Sequence, residues 1–347
     1  MTGFTFVTTT NNQTTGGAKR EVDWNAMNKH VIDAAKTQEK ARSVPGIISG
    51  IVDLGEQNLD DAEQEYKGDA AAEAKEIEAK PATYFKDGFN EKGVPCRLKC
   101  WPQKPCQQLA VTVDFVQAMV DKGQYFGNSQ LQPLRLLLNR EFTLSDKTKV
   151  VASPYNIRET KHEIGNGKSV WAFAKNNGLH KLAEACGLLD ANGLFTKNRI
   201  GELLGKVAQF QFRVYMKPGK NGGEFFQEEV KLVGMVPEGV TVPEIPDGIL
   251  YGVSFFPAGG ANDPSALKQM RACIKSHQKR ANNYEGSVLK TELDALGGNA
   301  PEATQAAPKV VTGVAPTAPV GDDTSFEDDV PFSPIGKQEG RMFLHMI

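Results

Sequence analysis

The chain has 347 residues, 40% hydrophobic and 24% charged, with a formal net charge of −2, which suits one large domain or two ordinary ones with a substantial core. No stretch reaches the ~18 uncharged apolar residues of a membrane span, and the start MTGFTFVTTTNNQ lacks a basic segment followed by an apolar run. The scattered cysteines, Cys96, Cys100, Cys106, Cys186 and Cys273, make no disulfide framework, so the expectation is a reduced, soluble, cytoplasmic protein.

In chain order, residues 1–22 are rich in Thr, Asn, Gln and Gly and read as a polar arm. From Asp23 to about Lys40, Trp24, Met27, Val31 and Ala34 recur at helical spacing, with Asp23 as N-cap. Residues 44–57, VPGIISGIVDLGEQ, are β-branched between Pro and Gly and predict a strand. The stretch 58–93 opens an acidic insertion, a solvated helix or linker with no apolar face. In VPCRLKCW, Val94, Leu98 and the cysteines alternate with Arg97, Lys99 and Trp101, which a strand sends to opposite faces. Strands follow at 107–115 and 133–144, the second carrying Arg135 on its polar side. Residues 168–188 predict a helix with Ser169 as cap and Trp171, Leu179, Leu182 and Ala183 as its apolar stripe, with Gly178 as a point where it can split. Two strands, 206–217 and 224–236, flank the turn-rich PGKNGG (218–223). A Pro/Gly-punctuated stretch leads to a helical segment at 264–296, then an Ala/Pro/Thr-rich linker and an acidic tail.

The order of elements, three strands, a helix and a strand pair, is that of a mainly β protein with helices, an OB-fold five-stranded Greek-key barrel. The expected organisation is an N-terminal arm and helix (1–43), the OB domain (44–240) with its insertion (58–93), a helical extension (241–298), a linker (299–320) and the acidic tail (321–347). Charge is unevenly placed: residues 58–80 and 321–332 each carry −5 against −2 for the whole chain, leaving the remainder at +8. A basic body with acidic segments suggests a polyanionic partner, with the acids as competitors or docking elements.

Binding an unpaired strand requires cations for phosphates and aromatic faces for bases. The polar strand faces offer Arg97, Lys99 and Trp101, then Arg135, then Arg213, Tyr215 and Lys217, then Phe225 and Lys231. Any wet β-face carries some Lys, Arg and Tyr; several strands with interleaved rings point to a groove. HEIGNGKSVW approaches a P-loop, but His162 stands where the first Gly belongs and no apolar strand precedes it. Lys161 and Lys168 then belong to a loop able to touch DNA. Cys96, Cys100 and Cys106 lack a fourth ligand in the sequence nearby and read as core residues. His180 reads as structural. No nucleophile–base pairing or HExxH motif is present, so no catalytic residue, metal or cofactor is expected.

The segment SFEDDVPF resembles the acidic tip of bacterial single-stranded DNA-binding proteins, matching it in Asp328, Asp329, Val330, Pro331 and Phe332 after a Pro-rich linker. The body resembles phage-encoded single-stranded DNA-binding proteins in Asp53, Leu54, Gly55 and Gln57, in LLGK (Leu203 to Lys206), and in Pro237 and Gly239. The resemblance implies sequence-independent binding and protection of single-stranded DNA in replication, recombination and repair, in the host cytoplasm if phage-encoded. It also implies docking of replication and repair proteins through Asp328, Asp329, Pro331 and Phe332, and leaves room for homo-oligomeric or cooperative assembly on DNA. In the bacterial family the Phe is terminal; here SPIGKQEGRMFLHMI follows it, so either the docking is different or the tip is mainly an intramolecular competitor for the groove. The rival readings are a recombination or annealing accessory, a metal-dependent nuclease or primase accessory, and a phage structural protein.

Overall fold

The computed structural model describes residues 22–297, except 91, 128, 166 and 219–223. The N-terminal arm and the tail with Asp328, Asp329, Pro331 and Phe332 lie outside the described residues. Helix α1 (Trp24–Ala35) starts where the Asp23 carboxylate accepts the Ala26 N–H at 2.9 Å, and buries Val31, Ile32 and Ala35. The long strand β1 (Arg42–Gln57) follows. The insertion folds as β2 (Ala62–Tyr66), α2 (Ala70–Ala79), β3 (Tyr84–Phe89) and β4 (Pro95–Trp101), a three-stranded sheet in the order β2–β4–β3. Then come β5 (Cys106–Val120), β6 (Gln132–Leu137), β7 (Glu141–Thr143), β8 (Lys149–Val151), β9 (Tyr155–Asn156), β10 (Thr160–Glu163) and β11 (Ser169–Ala172). Helix α3 (Gly178–Ala185), β12 (Val207–Pro218), β13 (Glu224–Gly234), β14 (Tyr251–Val253), α4 (Pro264–Gln269), α5 (Ala272–Gln278) and α6 (Val288–Gly297) complete the described chain.

The fold is mainly β with helices, built on an antiparallel sheet in the order β13–β12–β1–β5–β6, with β14 parallel to β1 and β9 beside β5. The run β12–β1–β5–β6 has the Greek-key arrangement, the late strand returning beside the first. The sheet is not closed into a barrel, because no backbone ladder joins β6 to β13. Arg271 bridges that gap, donating to Glu228 on β13 at 2.5 Å and to the Arg135 carbonyl on β6 at 2.7 Å. Burial alone would raise the Glu228 carboxyl, but Arg271 and Lys122 bring it below its ordinary value.

Each face of the sheet has its own core. Phe115, Leu134, Leu136, Phe210, Phe212 and Val214 pack on one side with α1, α3 and the buried Phe173 and Phe195. Val52, Leu54, Ala110 and Leu137 pack on the other side against β14, α4, α5 and α6 through Phe255, Leu267 and Ile274. The C-terminal extension is therefore a layer laid over one half of the sheet.

Two sequence motifs form bends in β1. At Asp53–Gly55 the ladder shifts register; Gly55 has φ 76° and its N–H donates to the Asp53 carboxylate at 2.9 Å. A side chain there would strike Phe255 and Ala281, so glycine lets the C-terminal layer approach. Gln278 donates to the Asp53 carbonyl from that layer. In LLGK, Leu203 is buried, and Gly205 and Lys206 exchange backbone hydrogen bonds with Ile48 as the chain enters β12.

Several expectations change. The helix expected over 168–188 is α3 alone, capped by Asn177; residues 169–172 instead pair with β10, because Gly165 and Gly167 at positive φ turn the chain into a hairpin. The strand expected over 133–144 breaks after Leu137, and Arg140, at φ 56°, turns it into the separate β7. The helical run expected over 264–296 is three short helices. No helix among the described residues is long and apolar enough to cross a membrane.

Candidate nucleic-acid interface

The ribbon of β12 and β13 sorts its residues by alternation. Phe210, Phe212 and Val214 are buried inward, so Gln211, Arg213, Tyr215 and Lys217 face outward. Their cross-strand partners are Lys231, Glu229, Gln227 and Phe225, so Arg213, Tyr215, Lys217, Phe225 and Lys231 share one face. The Arg213 guanidinium lies 4.1 Å from the Tyr215 ring centroid and donates to the Gln38 carbonyl at 2.7 Å. Its Nε has no hydrogen-bond partner among the described residues. The Tyr215 hydroxyl donates to Glu229 at 2.6 Å. Phe225 is 59% exposed beside Lys217. The face carries two rings, Tyr215 and Phe225, among the cations Arg213, Lys217 and Lys231 and the carboxylate Glu229, and rings interleaved with cations are what hold bases and phosphates.

Arg97, Lys99 and Trp101 lie elsewhere, in the inserted sheet. Leu98 and Cys100 are buried, which puts the three on the opposite face of β4. Two of them are engaged: Arg97 donates to both Glu73 oxygens at 2.8 and 3.0 Å and to Asp87 at 3.0 Å, and Lys99 donates to Glu76 at 2.6 Å. These hydrogen bonds hold the Glu73 and Glu76 carboxyls below their ordinary values. Trp101 borders an open cleft of about 490 Å³ with Pro102, Lys104, Pro105 and Arg158.

Arg135 is on β6 beneath the C-terminal layer. Its guanidinium pairs with the buried Asp114 at 2.7 and 2.8 Å, donates to Gln269 and to the Ile249 carbonyl at 2.7 Å, and lies 4.9 Å from the Tyr251 ring centroid. Asp114 also accepts from Ser49 at 2.7 Å. This is a structural network linking both layers.

Two candidates were hidden from the sequence. Trp171, assigned there to a helix core, is 62% exposed on β11 and pairs across the hairpin with Lys161 on β10. Arg158 lines the Trp101 cleft, 3.3 Å from Gln103 and 3.5 Å from the Lys104 carbonyl, beside the Cys106 thiol. The Gly165–Asn–Gly167 spacing was the available sign of the hairpin.

The thiols are unpaired, and burial pushes Cys186 and Cys273 up to about 12, far from nucleophilic use at neutral pH. Among the described residues no three His, Cys, Asp or Glu side chains are grouped to hold a metal ion. No protein-family model matches the chain, and no curated protein and no solved structure is significantly similar to it.

Proposed function

We propose that the chain binds and protects single-stranded DNA without reading its sequence, as an accessory of DNA replication, recombination and repair. On this reading the sheet is an OB-type barrel opened at one seam. Its Greek-key strand order and the position of α3 between β6 and β12 support that assignment. OB folds take oligonucleotides on the second and third strands and on the loops joining the first to the second and the fourth to the fifth. Here the outer face of β5 and β6 lies under the C-terminal layer, so the polynucleotide runs instead over the β12–β13 ribbon and the insertion between β1 and β5. Membership among phage-encoded proteins, and partner docking through Asp328, Asp329, Pro331 and Phe332, belong to the same proposal.

The observation that carries it is the outward face of β12–β13, where Arg213, Tyr215, Lys217, Phe225 and Lys231 stand together. The test is fluorescence titration with oligo-dT at low and moderate salt, with a duplex of equal length alongside. Tight, salt-sensitive binding that favours the single strand is expected, because phosphate neutralisation releases counterions. An absence of binding at low salt, or cleavage of labelled DNA on adding Mg²⁺ or Mn²⁺, would overturn it.

A further inference from the structure

Helix α2 has a distinctive relation to the strand beneath it. Its ten residues, AAAEAKEIEA, bury no side chain, so no apolar stripe anchors it. Charge holds it: Glu73 takes Arg97 at 2.8 Å and Glu76 takes Lys99 at 2.6 Å. The Arg97 and Lys99 side chains keep 36% and 18% of their surface exposed, and ion pairs reached by solvent are weak and salt-screened. Below the helix, Arg97, Lys99 and Trp101 follow one another on one face of a strand, about 6.6 Å apart by the strand rise. Two cations and then an indole on a rigid backbone form the array on which an unpaired strand lays its phosphates and a base.

We propose that α2 is a built-in acidic substitute for the polynucleotide backbone: Glu73 and Glu76 occupy the phosphate positions at Arg97 and Lys99, and single-stranded DNA displaces them. The inference rests on the single-stranded DNA reading above and adds that the β4 row is closed in the free protein. Asp87, across the ladder from Arg97, stays in place when α2 leaves. Lys99 is therefore released fully and Arg97 in part.

The test compares the full chain with Glu73→Gln/Glu76→Gln and with Glu78→Gln, which removes an α2 charge that has no partner among the described residues. Oligo-dT affinity is measured across a salt series, with thermal melting to show that each variant folds. The double variant should bind roughly three- to tenfold more tightly at low salt, the value of freeing two partly exposed ion pairs. Its log K against log salt slope should steepen by less than about 1.4, because in the wild type the carboxylates freed from Arg97 and Lys99 take up cations that offset part of the ~0.7 released per phosphate neutralised. Glu78→Gln should stay near wild type. Amides of residues 70–79 in the wild type should exchange faster once DNA is bound. If the wild type binds and the double variant binds equally or more weakly with an unchanged slope, α2 is not a competitor and the DNA reading stands. If only the double variant binds, DNA does not displace α2 in the natural chain, and both the displacement and the single-stranded DNA reading fall. If neither binds at low salt, both readings fall.

Discussion

At Arg135 the strand pattern and the tertiary structure assign different surroundings to the same side chain. Alternation puts it on the polar side of its strand, and that is where it lies, but the C-terminal layer covers this side. Removing one member of a buried ion pair leaves the other charged and unsolvated, at a cost of about 3–5 kcal/mol. Arg135→Ala should therefore lower unfolding free energy by about that amount in urea titration, through the stranded Asp114 carboxylate. Arg135→Lys should recover little of it, because an ammonium cannot reproduce the two-pronged contact. Affinity for oligo-dT per folded molecule should hold; a loss of affinity at unchanged stability would move Arg135 into the interface. His277 offers a second residue-scale test. Burial holds its imidazole down to about 4, whereas the unfolded chain takes the proton near 6.5. The unfolded state then binds more protons between those values, so stability falls as pH drops from about 6.5 to about 4, by at most on the order of 3 kcal/mol, and levels off below. His277→Gln should flatten that part of a stability–pH curve measured by denaturant.

At the scale of elements, legibility followed the clarity of the period. Strands β12 and β13 were readable because Phe210, Phe212 and Val214 alternate with Gln211, Arg213 and Tyr215 over a long run with turn residues between. The β4 row was readable for the same reason, but its partner was not: nothing local in AAAEAKEIEA says that Glu73 and Glu76 fold back onto Arg97 and Lys99. The hairpin of β10 and β11 is not legible because its four-residue strands are too short to show a period, and Trp171 falls at helical spacing ahead of the α3 stripe. That spacing hides an exposed ring. Exposed rings that stack on bases are worth ~1–3 kcal/mol each. Phe225→Ala should weaken oligo-dT binding roughly fivefold to a hundredfold with little change in melting temperature, because Phe225 is 59% exposed. Trp171→Ala, at 62% exposure, should do the same if the strand reaches the hairpin. Unchanged affinity in Trp171→Ala would confine the path to the β12–β13 ribbon and the insertion.

For the whole molecule, the sheet is divided by what covers it. The half holding β5 and β6 lies beneath α4, α5 and α6, and the half holding β12 and β13 keeps an outward face of cations and rings. No local pattern in the sequence could show this, since the covering layer begins past residue 250 and meets β1 at the Asp53–Gly55 bend. Charge is divided in the same way. The acids of 58–80 lie within the folded insertion, several in contact with its bases. The second acidic block, 321–332, comes after α6 in the sequence. Truncation after Thr317 removes six acids against two bases. It should tighten oligo-dT binding roughly two- to tenfold at low salt, with the advantage shrinking as added salt screens the tail. The salt dependence carries the distinction: a tail that only docks proteins leaves the affinity of the truncated chain equal to that of the full chain at every salt concentration. A tail that competes with DNA gives two binding curves that converge as salt rises.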